Sequence, residues 1–146
     1  MNRNIALLIG ILLSLDVIAH QDKIIQLTKD GELKGLPDSY SPAFFDSVKW
    51  SLKIAGNHFV FPSCVSDILN TQSHDGISIT SSWYHTRASR MPNYLHIKVI
   101  SKRFSVVVGL DDATPFELDA DTLKYQDSSK VKYRKLTESD ICGLLK

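Results

Sequence analysis

Between residues 76 and 110 apolar and polar side chains alternate in three successive runs, the period-two signature of strands with one buried face. In the first run Ile77, Ile79 and Trp83 share a side, and Ser78, Thr80, Ser82 and Tyr84 take the other. In the second, Leu95, Ile97 and Val99 oppose His96 and Lys98; in the third, Phe104, Val106, Val108 and Leu110 form the apolar side. Parallel neighbours need a crossover of a dozen or more residues, so the short connections here predict an antiparallel three-stranded meander.

The same period appears on either side of this meander. Residues 48–54 place Val48, Trp50, Leu52 and Ile54 on one face, with a turn at Gly56-Asn57 and a return strand over 58–61. Residues 23–36 read as a hairpin about Asp30-Gly31, a pair that supplies the positive φ angles of a tight two-residue turn. Pro37 and Pro42 mark a connection, and Ser41-Pro42 is a possible start for one helical turn. Residues 114–118 suggest a short edge strand, and 130–136 a final strand with Val131 and Tyr133 on one face.

Helical spacing occurs twice. Ser63 stands as an N-cap ahead of Val65, Ile68 and Leu69, with Asn70 as a stop. Thr137 and Asp140 have the offset of a capping box ahead of a helix over 138–145. The fold class expected is mainly β with two short helices: an antiparallel sheet of meander and hairpins, sandwich-like or strongly curved.

Residues 1–19 read as an address. Arg3 precedes an apolar run from Ile5 to Leu15, and Val17-Ile18-Ala19 suits cleavage after Ala19, leaving 20–146 as a single β-rich domain. The apolar run is short of the ~20 residues needed to span a bilayer, and Asp16 interrupts it, so no stable membrane insertion is expected after cleavage. The protein is accordingly expected to be exported, to a periplasm or the extracellular space. Cys64 and Cys142 are the only cysteines, and in an oxidising compartment they are candidates for one disulfide, the alternative being two buried thiols.

A net charge of +1 points away from a nucleic-acid binder, which needs excess basic charge. The charges are nevertheless sorted. Residues 76–110 hold Arg87, Arg90, Lys98, Lys102 and Arg103 and no acid, whereas 111–121 holds Asp111, Asp112, Glu117, Asp119 and Asp121 and no base. Mutual neutralisation of the two segments is the plain reading.

Patterns for chemistry are weak. There is no G-x-S-x-G and no glycine-rich phosphate cradle, so no cofactor is expected. His74, His85 and His96 lack ligand spacing, and Asp119-Ala120-Asp121 lacks the further carboxylates of a calcium loop, so no metal is expected. A pair of carboxylates meeting only in three dimensions leaves a small envelope hydrolase as the alternative class, although the balance is against an enzyme.

The connection 85–93 is long for a hairpin and holds two arginines, a methionine and a proline between Trp83-Tyr84 and Tyr94. These residue types are enriched at interface centres, and arginine grips carboxylates with two parallel hydrogen bonds. Tyr84, His85, Arg87, Arg90, Met91 and Tyr94 are therefore the candidate binding residues of a small exported non-catalytic protein. An inhibitor or immunity-type protein taking an acidic protein partner is the concrete form; a saccharide-binding module, with Tyr84 and Tyr94 stacking on sugar rings, is the second form. The plain alternative is a long loop folded over its own sheet.

Overall fold

The computed structural model describes residues 20–69, 74–84, 93–118 and 133–145. The central meander is β7 (Ile77–Tyr84), β8 (Tyr94–Val99) and β9 (Phe104–Gly109), paired antiparallel. It extends on both sides into a six-stranded sheet. β1 (His20–Ile24) pairs with β7, while β10 (Pro115–Leu118) and β11 (Tyr133–Lys135) continue beyond β9, giving the order β1-β7-β8-β9-β10-β11. The register brings the apolar sides together: Ile79, Ile97 and Val106 form one buried row, and Ile77, Val99 and Phe104 the next.

A smaller sheet, β4 (Ala43–Asp46), β5 (Ser51–Ile54) and β6 (Asn57–Val60), contributes Ala43, Phe45, Leu52 and Ile54 to the same core. The hairpin of β2 (Gln26–Leu27) and β3 (Leu33–Lys34) joins it through a Glu32–Phe44 bridge and a 2.7 Å bond from the Phe45 N–H to the Gly31 carbonyl. The chain is thus mainly β, antiparallel and sandwich-like. Trp50 ties the sheets together, meeting Phe45, Phe61 and Phe104 edge-on at centroid separations of 5.3, 5.6 and 6.3 Å.

Two short helices complete the fold. α1 (Ser63–Leu69) buries Val65 and Leu69 one turn apart, and α2 (Glu138–Gly143) buries Ile141. Thr137 and Asp140 form the full capping box, with the Asp140 carboxylate accepting from the Thr137 N–H. Cys64 and Cys142 are joined in a disulfide, which binds α1 to α2. No helix among the described residues is long and apolar enough to cross a membrane.

Several local expectations shift. The strand over 48–54 begins only at Ser51: Asp46 accepts from the Val48 and Lys49 N–H groups, and the turn so made leaves Val48 71% exposed. Trp50, expected beside Val48 in a strand, leaves that turn at φ 51° to enter the core. The first hairpin turns over three residues, with the Thr28 N–H bonded to the Glu32 carbonyl and only Gly31 left-handed, at φ 88°. A Cβ at Gly31 would lie 2.7 Å from the Phe45 carbonyl oxygen. The second hairpin turns at Ala55-Gly56, one residue earlier than expected, both at positive φ as a type I′ turn requires.

Other differences follow from neighbours that one-dimensional patterns do not reveal. β10 lies between β9 and β11 and is not an edge; Pro115 is tolerated because it opens the strand. Residues 23 and 24 belong to β1 and pair with Ser81 and Thr80 of β7, so the hairpin starts later. Ser63 is the first helical residue of α1, whose opening bonds go to the Pro62 carbonyl, and Ile68 is exposed. Pro42 starts no helix; the helical turn there is Asp38–Tyr40, before it. Ser82, expected on a wet face, is buried, as is Ser81, so both faces of β7 are covered at that end. The partial strand β11 is exposed along its length, Tyr133 included, and Val131 lies outside the described residues.

Candidate functional site

The expected basic-aromatic connection is rooted where β7 and β8 end side by side. Ser82 stands opposite Tyr94, and Tyr84 opposite His20 of β1. Tyr94 is half-buried and meets Phe116 edge-on at 5.8 Å, so this ring belongs to the large sheet's own packing. Asn93 is pinned: its carbonyl accepts from the Leu110 N–H at 2.8 Å, and its Nδ2 donates to the Tyr40 hydroxyl at 3.0 Å. That hydroxyl donates to Asp111 at 3.2 Å, and burial, offset in part by the Asn93 bond, raises the phenol's pKa. His85, Arg87, Arg90 and Met91 lie outside the described residues, as do Asp119 and Asp121.

The acidic segment finds local partners. Asp112 accepts from the Thr114 N–H in the turn after β9, and Glu117 pairs with Arg134 of β11 at 2.6 Å. Arg134 also reaches Asp140 at 2.9 Å. Glu117 is therefore met by the neighbouring strand. Among the described residues no group of three or more His, Cys, Asp or Glu is arranged to hold a metal. The His96 ring bonds Ser105 Oγ across β8 and β9, and burial together with Lys98 lowers its pKa.

A different surface has the shape of a binding site. The outer face of the small sheet forms an open groove of about 590 Å³. Register explains its floor. Phe44, Lys53 and His58 stand opposite one another in one row across β4, β5 and β6, and Asp46, Ser51 and Val60 in the next. Since alternate residues on these strands enter the core, this set must face outward. The tip of the first hairpin, with Lys29 and Asp30, and the turn with Val48 and Lys49 complete the lining.

Apolar side chains are left in water here: Phe44 is 41% exposed and Val60 56%, beside the still more exposed Val48. The side chains of Lys29, Lys53 and His58 make no ion pair or hydrogen bond among the described residues. The acids are disposed asymmetrically. Glu32 and Asp30 lie on the hairpin side, next to or beyond β4, and the Asp46 carboxylate is occupied by two backbone N–H groups. The bond from Lys49, then that from Val48, outweighs partial burial and lowers the Asp46 pKa, keeping it ionised and locally satisfied. Toward β6 the floor is basic and apolar without an acid.

Sequence reasoning missed this groove because its residues come from three strands and two turns, and only register unites them. A signal was present in Lys49, Ser51 and Lys53, which alternate with the core residues Trp50, Leu52 and Ile54, but a polar strand face is ordinarily just solvated. Comparisons with protein-family models, with curated proteins and with solved structures give no match to this chain.

Proposed function

We propose that this chain is a small exported binding protein, of inhibitor or immunity type and without catalytic activity, that engages an acidic polypeptide through the groove on its smaller sheet. The observation that carries the reading is the row Phe44-Lys53-His58, in which Lys53, with no ion pair among the described residues, stands beside exposed apolar surface on one face. Exposed apolar area rimmed by unpaired charge is the composition of a contact surface, since ordinary solvated faces lack the apolar part. Export is supported by the pattern of residues 1–19 and by the Cys64–Cys142 pairing, which persists in oxidising compartments.

The connection between Tyr84 and Tyr94 is the second contact in this reading, with Arg87, Arg90, His85 and Met91 meeting the same partner. The anchorage of Asn93 favours it, because a fixed root lowers the ordering cost of binding.

Titration of the mature, oxidised protein with poly-L-glutamate, followed by amide NMR shifts, tests both contacts. Shifts are expected at Lys49, Lys53, His58 and Val60 and should vanish in Lys29→Glu/Lys53→Glu. Shifts confined to 84–94 and abolished by Arg87→Ala/Arg90→Ala would transfer the function to that connection. No shift at either place removes the acidic-partner reading.

A further inference from the structure

The free border of the groove indicates how a partner would be held. Among the described residues β6 is paired on one side only, to β5. Its two-residue turn makes Ile54 and Asn57 the hydrogen-bonded pair that closes the hairpin, and pairs alternate from there. Lys53 with His58 and Ser51 with Val60 are therefore the non-bonded pairs, and the bond from the Phe61 N–H to the Trp50 carbonyl continues the same alternation. The N–H and C=O groups of His58 and Val60 consequently point away from the sheet, and the side chains of these same residues face the groove.

Exposed sheet edges are ordinarily guarded by charge, because an open ladder recruits other strands. The borders of the large sheet follow that rule: β1 contains Asp22 and Lys23, and β11 contains Arg134 and Lys135. β6 reads Asn-His-Phe-Val, with neither a formal charge nor a proline, and its Val60 side chain is 56% exposed. It is an unguarded edge beside an apolar, basic floor.

We infer that β6 is a strand-addition site, at which an extended acidic segment of the partner pairs with the outward backbone of His58 and Val60 and lays alternate side chains over the groove. This rests on the groove being the binding surface, and adds the mode by which it is used. Strands lie about 4.8 Å apart, so an added strand would sit roughly 10 Å from β5, within reach of the Lys53 side chain spanning over His58. A carboxylate in that row meets Lys53 and His58, and an apolar residue two positions along meets Val60. The acids of the groove side, Asp46, Asp30 and Glu32, stand at β4 or beyond it, and Asp111, whose carbonyl accepts from Asn57 Nδ2 at the start of β6, adjoins the opposite face, where Asn57 pairs with the core residue Ile54. A second copy of the chain pairing edge to edge would bring no carboxylate to Lys53, because that copy's groove acids stand at its own β4 or beyond.

The test uses the synthetic peptide Ac-Glu-Thr-Val-Thr-Glu-NH2, a palindrome that presents Glu, Val and Glu on one face in either strand direction. Amide exchange at His58 and Val60 should slow at least tenfold in the complex while that at Leu52 changes little. N-methylating one alternate set of peptide amides should abolish binding, and methylating the other set should leave it intact. Lys53→Glu should weaken binding about tenfold, as should a Lys-for-Glu peptide. Val60→Pro, which removes an outward N–H and leaves the β5 ladder whole, should also prevent binding; the exchange data on the unaltered protein decide the matter if that variant fails to fold. Sensitivity to Lys53→Glu with no protection at His58 and Val60, and no effect of either methylated set, overturns strand addition and leaves the groove standing. Absence of binding, with shifts from poly-L-glutamate also absent, overturns both. Protection of the same two amides without peptide, rising with protein concentration, overturns the peptide in favour of a second copy.

Discussion

Replacing Cys64 and Cys142 by Ala asks how much of this fold the cross-link holds. The bridge spans a sequence separation of 78, for which loop-closure entropy in the unfolded chain gives about 4.5 kcal/mol at 25 °C. What would hold the C-terminal segment without it is small. α2 buries one side chain fully, Ile141, worth about 1.5–3 kcal/mol, and its Thr137 cap adds about 1 kcal/mol. Ordering the six residues of α2 costs about 1.5 kcal/mol each, and exposed β11 adds little burial to offset it. The double variant should therefore lose about 3–4.5 kcal/mol in urea unfolding, with a steeper denaturant dependence because its unfolded chain is less confined. For a chain of this size the melting temperature should fall by roughly 10–20 °C. Amide exchange resolves where the loss falls: residues 139–145 should lose protection first, while β8 stays the slowest. A loss under about 1 kcal/mol, or protection in α2 equal to that in β8, would show that packing alone secures the C-terminus and that the argument is wrong.

Three further outcomes follow from the core, a turn and a half-buried imidazole. Trp50→Phe should cost about 1–2 kcal/mol against about 3–5 for Trp50→Ala, because the indole Nε1 is buried without an acceptor among the described residues and its removal offsets part of the lost packing; equal losses in chemical denaturation would mean the N–H is bonded. Gly31→Ala should cost at least about 1–2 kcal/mol, since its φ of 88° and the nearby Phe45 carbonyl both oppose a Cβ, and an unchanged melting temperature would contradict the hairpin geometry. His96 titrates below its ordinary value because burial, then Lys98, disfavour the charged ring, whereas the unfolded chain takes up a proton near pH 6.5. Its contribution is thus complete above about pH 6.5 and is lost as pH falls from there toward the folded value, so the unaltered protein should lose more stability between about pH 7.5 and 5 than His96→Gln does; parallel pH profiles would reject this.

Periodicity alone determined the meander, because β7, β8 and β9 are consecutive and one buried face forces alternation in each. It likewise determined the two helices, from the spacing of Val65, Ile68 and Leu69, of which Ile68 stays exposed, and from the Thr137–Asp140 offset, and made Cys64 and Cys142 candidates for one bridge. These signals are local, or rest on composition that a compartment constrains. Tertiary structure decided the rest. That β10 is an inner strand depends on β11 returning beside it, and that Val48 faces water depends on the Asp46 carboxylate closing a turn. The groove is the clearest instance. Phe44, Lys53 and His58 become neighbours only through the pairing of three strands, and β6 becomes an open edge only because no described strand pairs beyond it. A sequence states which side chains share a face, but which faces and edges remain uncovered is set by packing between segments distant along the chain.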